Sequence, residues 1–221
     1  MKGLLIKDAE IMKNQGRVLL LLVAFAVVFL GMNRDMTVIF IVSYITIVLS
    51  LFTASTVSYD EFDNCWLFLM TLPVTRKRYV QEKYLFGILL TLGAWCLANA
   101  VGAVLMVWKG MSTDSLEWLG ESTAVLCVAF VFMGVTLPLR LKLDAEKAKY
   151  INLLVFILVF GGAFLVSKLV VYVPRNIRQT VSALFGDMGN QGILLLSAGI
   201  AAAVLLVSYG CSRRIMAQKE F

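Results

Sequence analysis

Apolar and polar positions in this chain alternate on the scale of whole helices rather than of single residues. Six long apolar runs, at 17–32, 36–57, 84–107, 122–141, 150–171 and 192–211, are separated by short polar segments that hold most of the charge. A helix rises about 1.5 Å per residue, so roughly 20 mostly apolar residues cross about 30 Å of hydrocarbon. The pattern predicts an all-α integral membrane protein: six transmembrane helices in one domain spanning residues 1–221. The first run is the weakest, with an uninterrupted core only from Val18 to Leu30, and Arg17 must snorkel towards the headgroups. Its basic flank resembles the start of a signal peptide. No small-residue cleavage site follows, however, and Asn33-Arg34-Asp35 leads straight into the next run, so a retained helix is expected.

Three shorter amphipathic pieces lie outside these runs. In residues 2–14, Leu5, Ala9 and Met12 share one helical face, widened by Leu4 and Ile11 and interrupted by Asp8, with Lys2, Lys7, Glu10 and Lys13 away from it. This predicts an interfacial helix along the headgroups, a frayed charged tail being the plainer alternative. In the second piece Phe62, Cys65, Trp66, Leu69 and Met70 draw one apolar stripe, predicting a short helix at 60–71. Ser58 and Glu61 have capping-box spacing, and Asp60, Glu61 and Asp63 suit a helix start. Pro73 stops that helix, and Thr75 is the expected N-cap of the next, which carries Arg76, Lys77 and Arg78 into the third crossing. The third piece, at 175–188, repeats Ile177, Val181, Leu184, Phe185 and Met188 on one side, with Gly186 and Gly189 expected to end or loosen it. It either shields the outer end of a pathway or lies on the outer leaflet.

Composition narrows the class. With 60% hydrophobic and 15% charged residues and a mean hydropathy of +0.87, the chain is neither an ordinary soluble globule nor disordered. The net charge of +6 sits in clusters between apolar runs, which argues for topology signals and against nucleic-acid binding. Fifteen Lys and Arg fall in the N-terminus, the 58–83 and 140–149 loops and the C-terminus, against five in the other loops, which places both termini in the cytoplasm. Cys65, Cys96, Cys127 and Cys211 are widely spaced without a CxxC pair, and histidine is absent, so neither a disulfide framework nor a metal site is expected. There is no GxSxG, HExxH or GxxxxGK[ST] motif and no paired carboxylate inside a run. The chain is therefore not expected to be an enzyme. If it drives uphill transport, the nucleotide chemistry belongs to another chain.

Inside the runs the polar residues are mild. Ser43, Thr46, Ser50 and Thr53 form one stripe of the second run, Phe40, Tyr44, Val48 and Phe52 another, and Asn152, Phe156, Phe160 and Phe164 recur every four residues in the fifth. Ser43, Tyr44, Thr46, Ser50, Asn152, Phe156 and Phe160 are candidates for the wall of a weakly polar, aromatic pathway; for any single one of them packing or lipid contact is the preferred reading. In the third run Ala94, Ala98 and Gly102 allow close helix contact, with Asn99 placed to hydrogen-bond across it, and Ser197 and Ala201 open a small-residue cluster in the sixth.

Two segments carry a likeness. The start Met1 to Asp8 reads MKGLLIKD, and after the second run come Tyr59-Asp60-Glu61, then Thr71-Leu72-Pro73-Val74-Thr75-Arg76-Lys77 and Glu82-Lys83-Tyr84. With these the chain resembles the short permease subunits of type-2 ATP-binding-cassette exporters, Thr75 standing where serine is frequent but keeping the hydroxyl cap. The resemblance implies an N-terminal connecting elbow helix and a short coupling helix, with Asp60, Glu61, Phe62, Asp63, Trp66, Leu69 and Met70 docking on a cytoplasmic ATPase subunit. It also implies a second permease copy or homologue, no cofactor on this chain, and ATP and Mg on the partner ATPase. Bacterial exporters of antimicrobial or amphipathic peptides, including phenol-soluble modulins, are similar, which implies an amphipathic peptide substrate and a bacterial cell membrane. A non-transporting membrane sensor or assembly factor, holding a cytoplasmic partner by the same loops, is the alternative.

Overall fold

A computed structural model of the chain describes residues 2–30, 38–61, 75–110, 115–143 and 175–218, with Tyr150, Val155, Ile157, Gly161 and Lys168 between the last two stretches. Among these residues the regular structure is entirely helical. The elements are α1 (Lys2–Asn14), α2 (Gly16–Phe25) running into a π turn (Ala26–Leu30), α3 (Val38–Glu61), α4 (Arg76–Lys109), α5 (Ser115–Lys142) and α6 (Arg175–Gln218). Four stretches are long and apolar enough to cross a membrane: Val38–Asp60, Arg76–Lys109, Trp118–Lys142 and Leu194–Gln218. A bent pair, Gly3–Asn14 and Gly16–Val28 at 56°, makes a fifth if taken as one span. The expected crossing at 150–171, with Asn152, Phe156 and Phe160, lies outside the described residues apart from the isolated positions named above.

Helix limits follow the local chemistry. α1 covers the interval its periodicity predicts. Thr75, in extended backbone, accepts the Arg78 N–H on its side chain and caps α4. At the other end Gly110 adopts φ 65°, the left-handed turn that only glycine enters without a Cβ penalty, and its N–H returns to the Met106 and Val107 carbonyls. Two expectations are corrected. α3 continues through Glu61, so Ser58 does not cap a new helix; its hydroxyl accepts a hydrogen bond from Arg140 instead. Nothing between Val38 and Glu61 is a proline or glycine, so no local signal stops α3 at Val57. Likewise the piece at 175–188 and the crossing at 192–211 form the single helix α6, because Gly186 and Gly189 cost only about 1 kcal/mol each in a helix and no proline falls inside it.

Packing is built on small residues and one proline. Along α4 the stripe Ala94, Ala98 and Leu105 is buried against Val38, Ile41, Val42, Ile45 and Leu49 of α3. Gly102 lies in the same stripe: a Cβ there would stand 2.9 Å from the Trp118 ring and 3.0 Å from Val42 Cγ2. Among the described residues Asn99 does not bridge to a neighbouring helix; its amide donates to the Trp95 carbonyl one turn back at 2.9 Å, while Trp95 Nε1 makes the crossing bond to the Ser122 carbonyl at 2.8 Å. Pro138 sits inside α5 and lacks the N–H that would reach the Gly134 carbonyl. The buried Ser208 hydroxyl of α6 donates to that carbonyl in its place, and Gly134, without a Cβ, leaves room for α6 at this crossing. Ser208 is itself bonded to the Tyr84 hydroxyl, which also meets Ser212 at 2.8 Å.

A buried ionic cluster as candidate functional site

The segments that the charge count assigns to one side come together at one end of the bundle: α1, the end of α3, the start of α4 and the ends of α5 and α6. Tyr79, Val80 and Tyr84 of α4 share a core there with Leu4, Val57, Met133, Leu137, Leu141 and Met216. Ionic groups are threaded through it. Lys83 on α4 is fully buried and pairs with Asp8 of α1 and, at 2.9 Å, with Asp60 of α3, while donating to the Thr56 hydroxyl at 3.1 Å. Its ammonium also stands 5.3 Å from the centre of the Tyr79 ring. Lys7 pairs with Asp60 and, at 3.3 Å, with Asp8. Tyr79 donates its hydroxyl to Asp60 at 2.7 Å. Gln15, at the joint between α1 and α2, donates to the Tyr59 hydroxyl.

Asp8, Asp60, Tyr79 and Lys83 are buried, while Lys7 stands at the rim with its side chain 29% exposed. Removing one partner of a buried pair typically costs about 3–5 kcal/mol, because a charge is left uncompensated. Asp60 is the hub: one carboxylate receives Lys7, Lys83 and Tyr79 from two other helices. Glu82 is also buried, and neither of its carboxyl oxygens has a hydrogen-bond donor among the described residues. Three carboxyls (Asp8, Asp60, Glu82) thus share the cluster with two ammoniums. Burial opposes the charge on Lys7, but attraction to Asp60 and then Asp8 outweighs it, holding the Lys7 pKa above the ordinary lysine value of 10.5.

The expected docking residues divide. Asp60 is not displayed on a docking surface but locked inside the cluster, in the last turn of α3. Glu61 closes that helix, and Phe62, Asp63, Trp66, Leu69 and Met70 lie outside the described residues. Of the pathway candidates, Thr46 and Ser50 are buried within this single chain and Ser43 and Tyr44 are half-buried. Ser43 and Ser50 donate to the carbonyls of Ile39 and Ile47 in their own helix, both at 2.8 Å. Tyr44 lies beside Leu22 and Val23 of α2.

Sequence reading missed Asp8, Tyr79, Glu82 and Lys83 as a unit. Asp8 read as a blemish in an apolar face and Lys83 as one more topology charge. A signal was present: three of the four short motifs that carry the family likeness contain Lys7 and Asp8, Asp60, and Glu82 and Lys83, which are the groups that meet here.

The sequence model of the ABC-2 family transporter proteins matches residues 3–217, nearly the whole chain. The chain therefore belongs to that family, whose members are membrane components served by an ATPase on a separate subunit. No curated protein and no solved structure matches it.

Proposed function

We propose that this ABC-2 family subunit is the permease half of an ATP-driven exporter, coupled to its ATPase through residues 60–71 and paired with a second permease copy or homologue. The polar end of the bundle, with both termini, faces the cytoplasm, in agreement with the basic residues gathered there. The substrate is an amphipathic or antimicrobial peptide, a class the resemblance favours and the aromatic stripes accommodate. The observation that carries the coupling is the position of Asp60: it lies at the mouth of the segment that meets the ATPase and is bonded to both α1 and α4. A push on 60–71 is then delivered to three helices at once. Approach of two ATPases on binding ATP would shift the paired permeases between inward-open and outward-open arrangements.

The test replaces Phe62, Trp66 and Leu69 together with Glu and measures ATPase copurification and ATP-dependent uptake of a labelled amphipathic peptide into inverted vesicles. Loss of both is expected. Assembly and uptake unchanged from wild type would refute the coupling assignment. A cytoplasmic partner lacking a Walker motif, with no peptide uptake in the wild type, would instead favour the sensor or assembly-factor reading.

A further inference from the structure

We infer that a basic cleft between the start of α4 and the end of α6 binds the phosphate headgroup of an anionic membrane lipid. The cleft, about 800 Å³, brings Arg76 and Lys77 from one helix against Arg213 and Arg214 from the other. No carboxylate is among the described residues that line it. Its floor is open because Gly210 and Ala217 lie on the α6 side.

Two of the four cations, Arg76 and Arg213, are held in place. The Arg76 guanidinium donates to the Ala217 carbonyl at 3.0 Å, which fixes it on the wall and satisfies an α6 terminus. Arg213 stands 5.7 Å from the centre of the Tyr209 ring, itself edge-on to Tyr84. The start of α4 adds the positive end of a helix dipole. Guanidinium groups in fixed positions suit a phosphate diester, whose oxygens accept two parallel N–H bonds.

Depth and amphipathic pattern select a lipid over a soluble phosphate. The apolar run of α6 ends at Cys211, so Arg213 to Ala217 stand roughly 3–9 Å beyond the hydrocarbon at about 1.5 Å per residue, which is headgroup depth. Leu206, Gly210, Arg213 and Ala217 share one face of α6, as do Val207, Gly210 and Arg214. Leu206 and Val207 are 72% and 67% exposed, so this face is greasy at the depth of acyl chains and cationic one to two turns further out. A molecule with a fatty body and an anionic head matches both halves of the stripe. A soluble anion matches only the outer half.

The test uses the full chain, purified and placed in nanodiscs of phosphatidylcholine containing a minor share of phosphatidylglycerol, with native mass spectrometry counting the lipids retained. The wild type is expected to retain phosphatidylglycerol in preference to phosphatidylcholine. Arg213→Gln with Arg214→Gln should weaken that preference on the order of tenfold, and Lys77→Gln alone should weaken it less. All three residues are exposed, and an unchanged thermal midpoint confirms that the variants are folded. Retention unaffected by the substitutions, or no preference for the anionic lipid in the wild type, overturns the assignment. Displacement of the lipid by millimolar inorganic phosphate also overturns it, in favour of a soluble anion. Loss of ATPase copurification with lipid retention intact overturns it in favour of a protein-docking surface.

Discussion

Pro138 deprives the Gly134 carbonyl of its usual donor, and Ser208 supplies one from another helix. Ser208→Ala removes that donor and the Ser208–Tyr84 bond, but Tyr84 keeps Ser212 at 2.8 Å, so the group left without a partner is the Gly134 carbonyl. A buried acceptor left without a partner costs about 1–3 kcal/mol, whereas interhelical hydrogen bonds in membrane proteins average about 0.6 and reach about 1.7 kcal/mol. The lower average reflects groups that find other donors. Pro138 removes the usual i+4 backbone donor to Gly134, so a loss of about 1–2 kcal/mol is expected. Pro138→Ala restores the N–H and should reduce the cost of Ser208→Ala to below about 0.5 kcal/mol, a coupling of about 1 kcal/mol. Reversible unfolding of the four proteins in mixed micelles, titrated with dodecyl sulfate, closes the double-mutant cycle. Equal losses from Ser208→Ala in both backgrounds would refute the compensation.

Three further outcomes follow from the packing and the charges. Gly102→Ala places a methyl 2.9 Å from the Trp118 ring and should lower stability by about 1–3 kcal/mol, while Gly93→Ala, with nothing within 4 Å, should be neutral or stabilising; the same micelle titration compares them, and equal effects would contradict the close approach of α4 to α3 and α5. Lys83→Met leaves Asp8 and Asp60 without their buried cation and should cost about 3–5 kcal/mol, whereas Glu82→Gln removes a buried carboxyl that has no donor among the described residues and should leave the thermal midpoint unchanged or higher; a larger drop for Glu82→Gln than for Lys83→Met would invalidate the charge count. Because the Lys7 pKa is raised on folding, its stabilising contribution is complete below the ordinary lysine value of 10.5 and fades as pH rises through the higher folded value. The gap in thermal midpoint between wild type and Lys7→Gln should therefore stay constant from pH 7 to 10 and narrow beyond that; a gap already closing between pH 7 and 9 would contradict the pairing.

What could be read from the sequence was what depends on neighbours a few residues away. The helix at 2–14, the Thr75 cap and the small stripe of Ala94, Ala98 and Gly102 all follow from periodicity or from one side chain meeting its own backbone. Gathering of the basic segments at one end was legible too, because alternate crossings force it. The cluster was not, since Lys83 and Asp8 are 75 residues apart and only the folded bundle makes them partners. Ser208 and Gly134 are 74 apart, and the reason for their bond, a missing N–H on Pro138, appears only once α5 is known to continue through the proline. Asn99 differs: a polar residue on a packing helix suggests a bond across the interface, but among the described residues its amide bonds to the Trp95 carbonyl in the turn behind. Ser58 and Glu61 fit a helix start, and α3 had no breaker to end it before them.

The cluster constrains any motion of this subunit. Separating α1 from the α3–α4 corner would expose or strand Asp8, Asp60 and Lys83 at once, a cost of several kcal/mol for each uncompensated buried charge. Those three elements therefore move as one body, and bending has to be taken up where no such charges are crossed. The joint between α1 and α2 is one such place: the chain turns there by 56°, a Cβ at Gly16 would meet no described residue within 4 Å, and Gln15 is tied to the corner through Tyr59. The π turn at Ala26–Leu30 is another. On the proposed function, force entering beside Asp60 turns α1 and the polar end of α4 together and flexes the chain at these joints. On that proposal the buried ions are a transmission, and it gives a physical reason for three of the motifs of the family likeness to supply them.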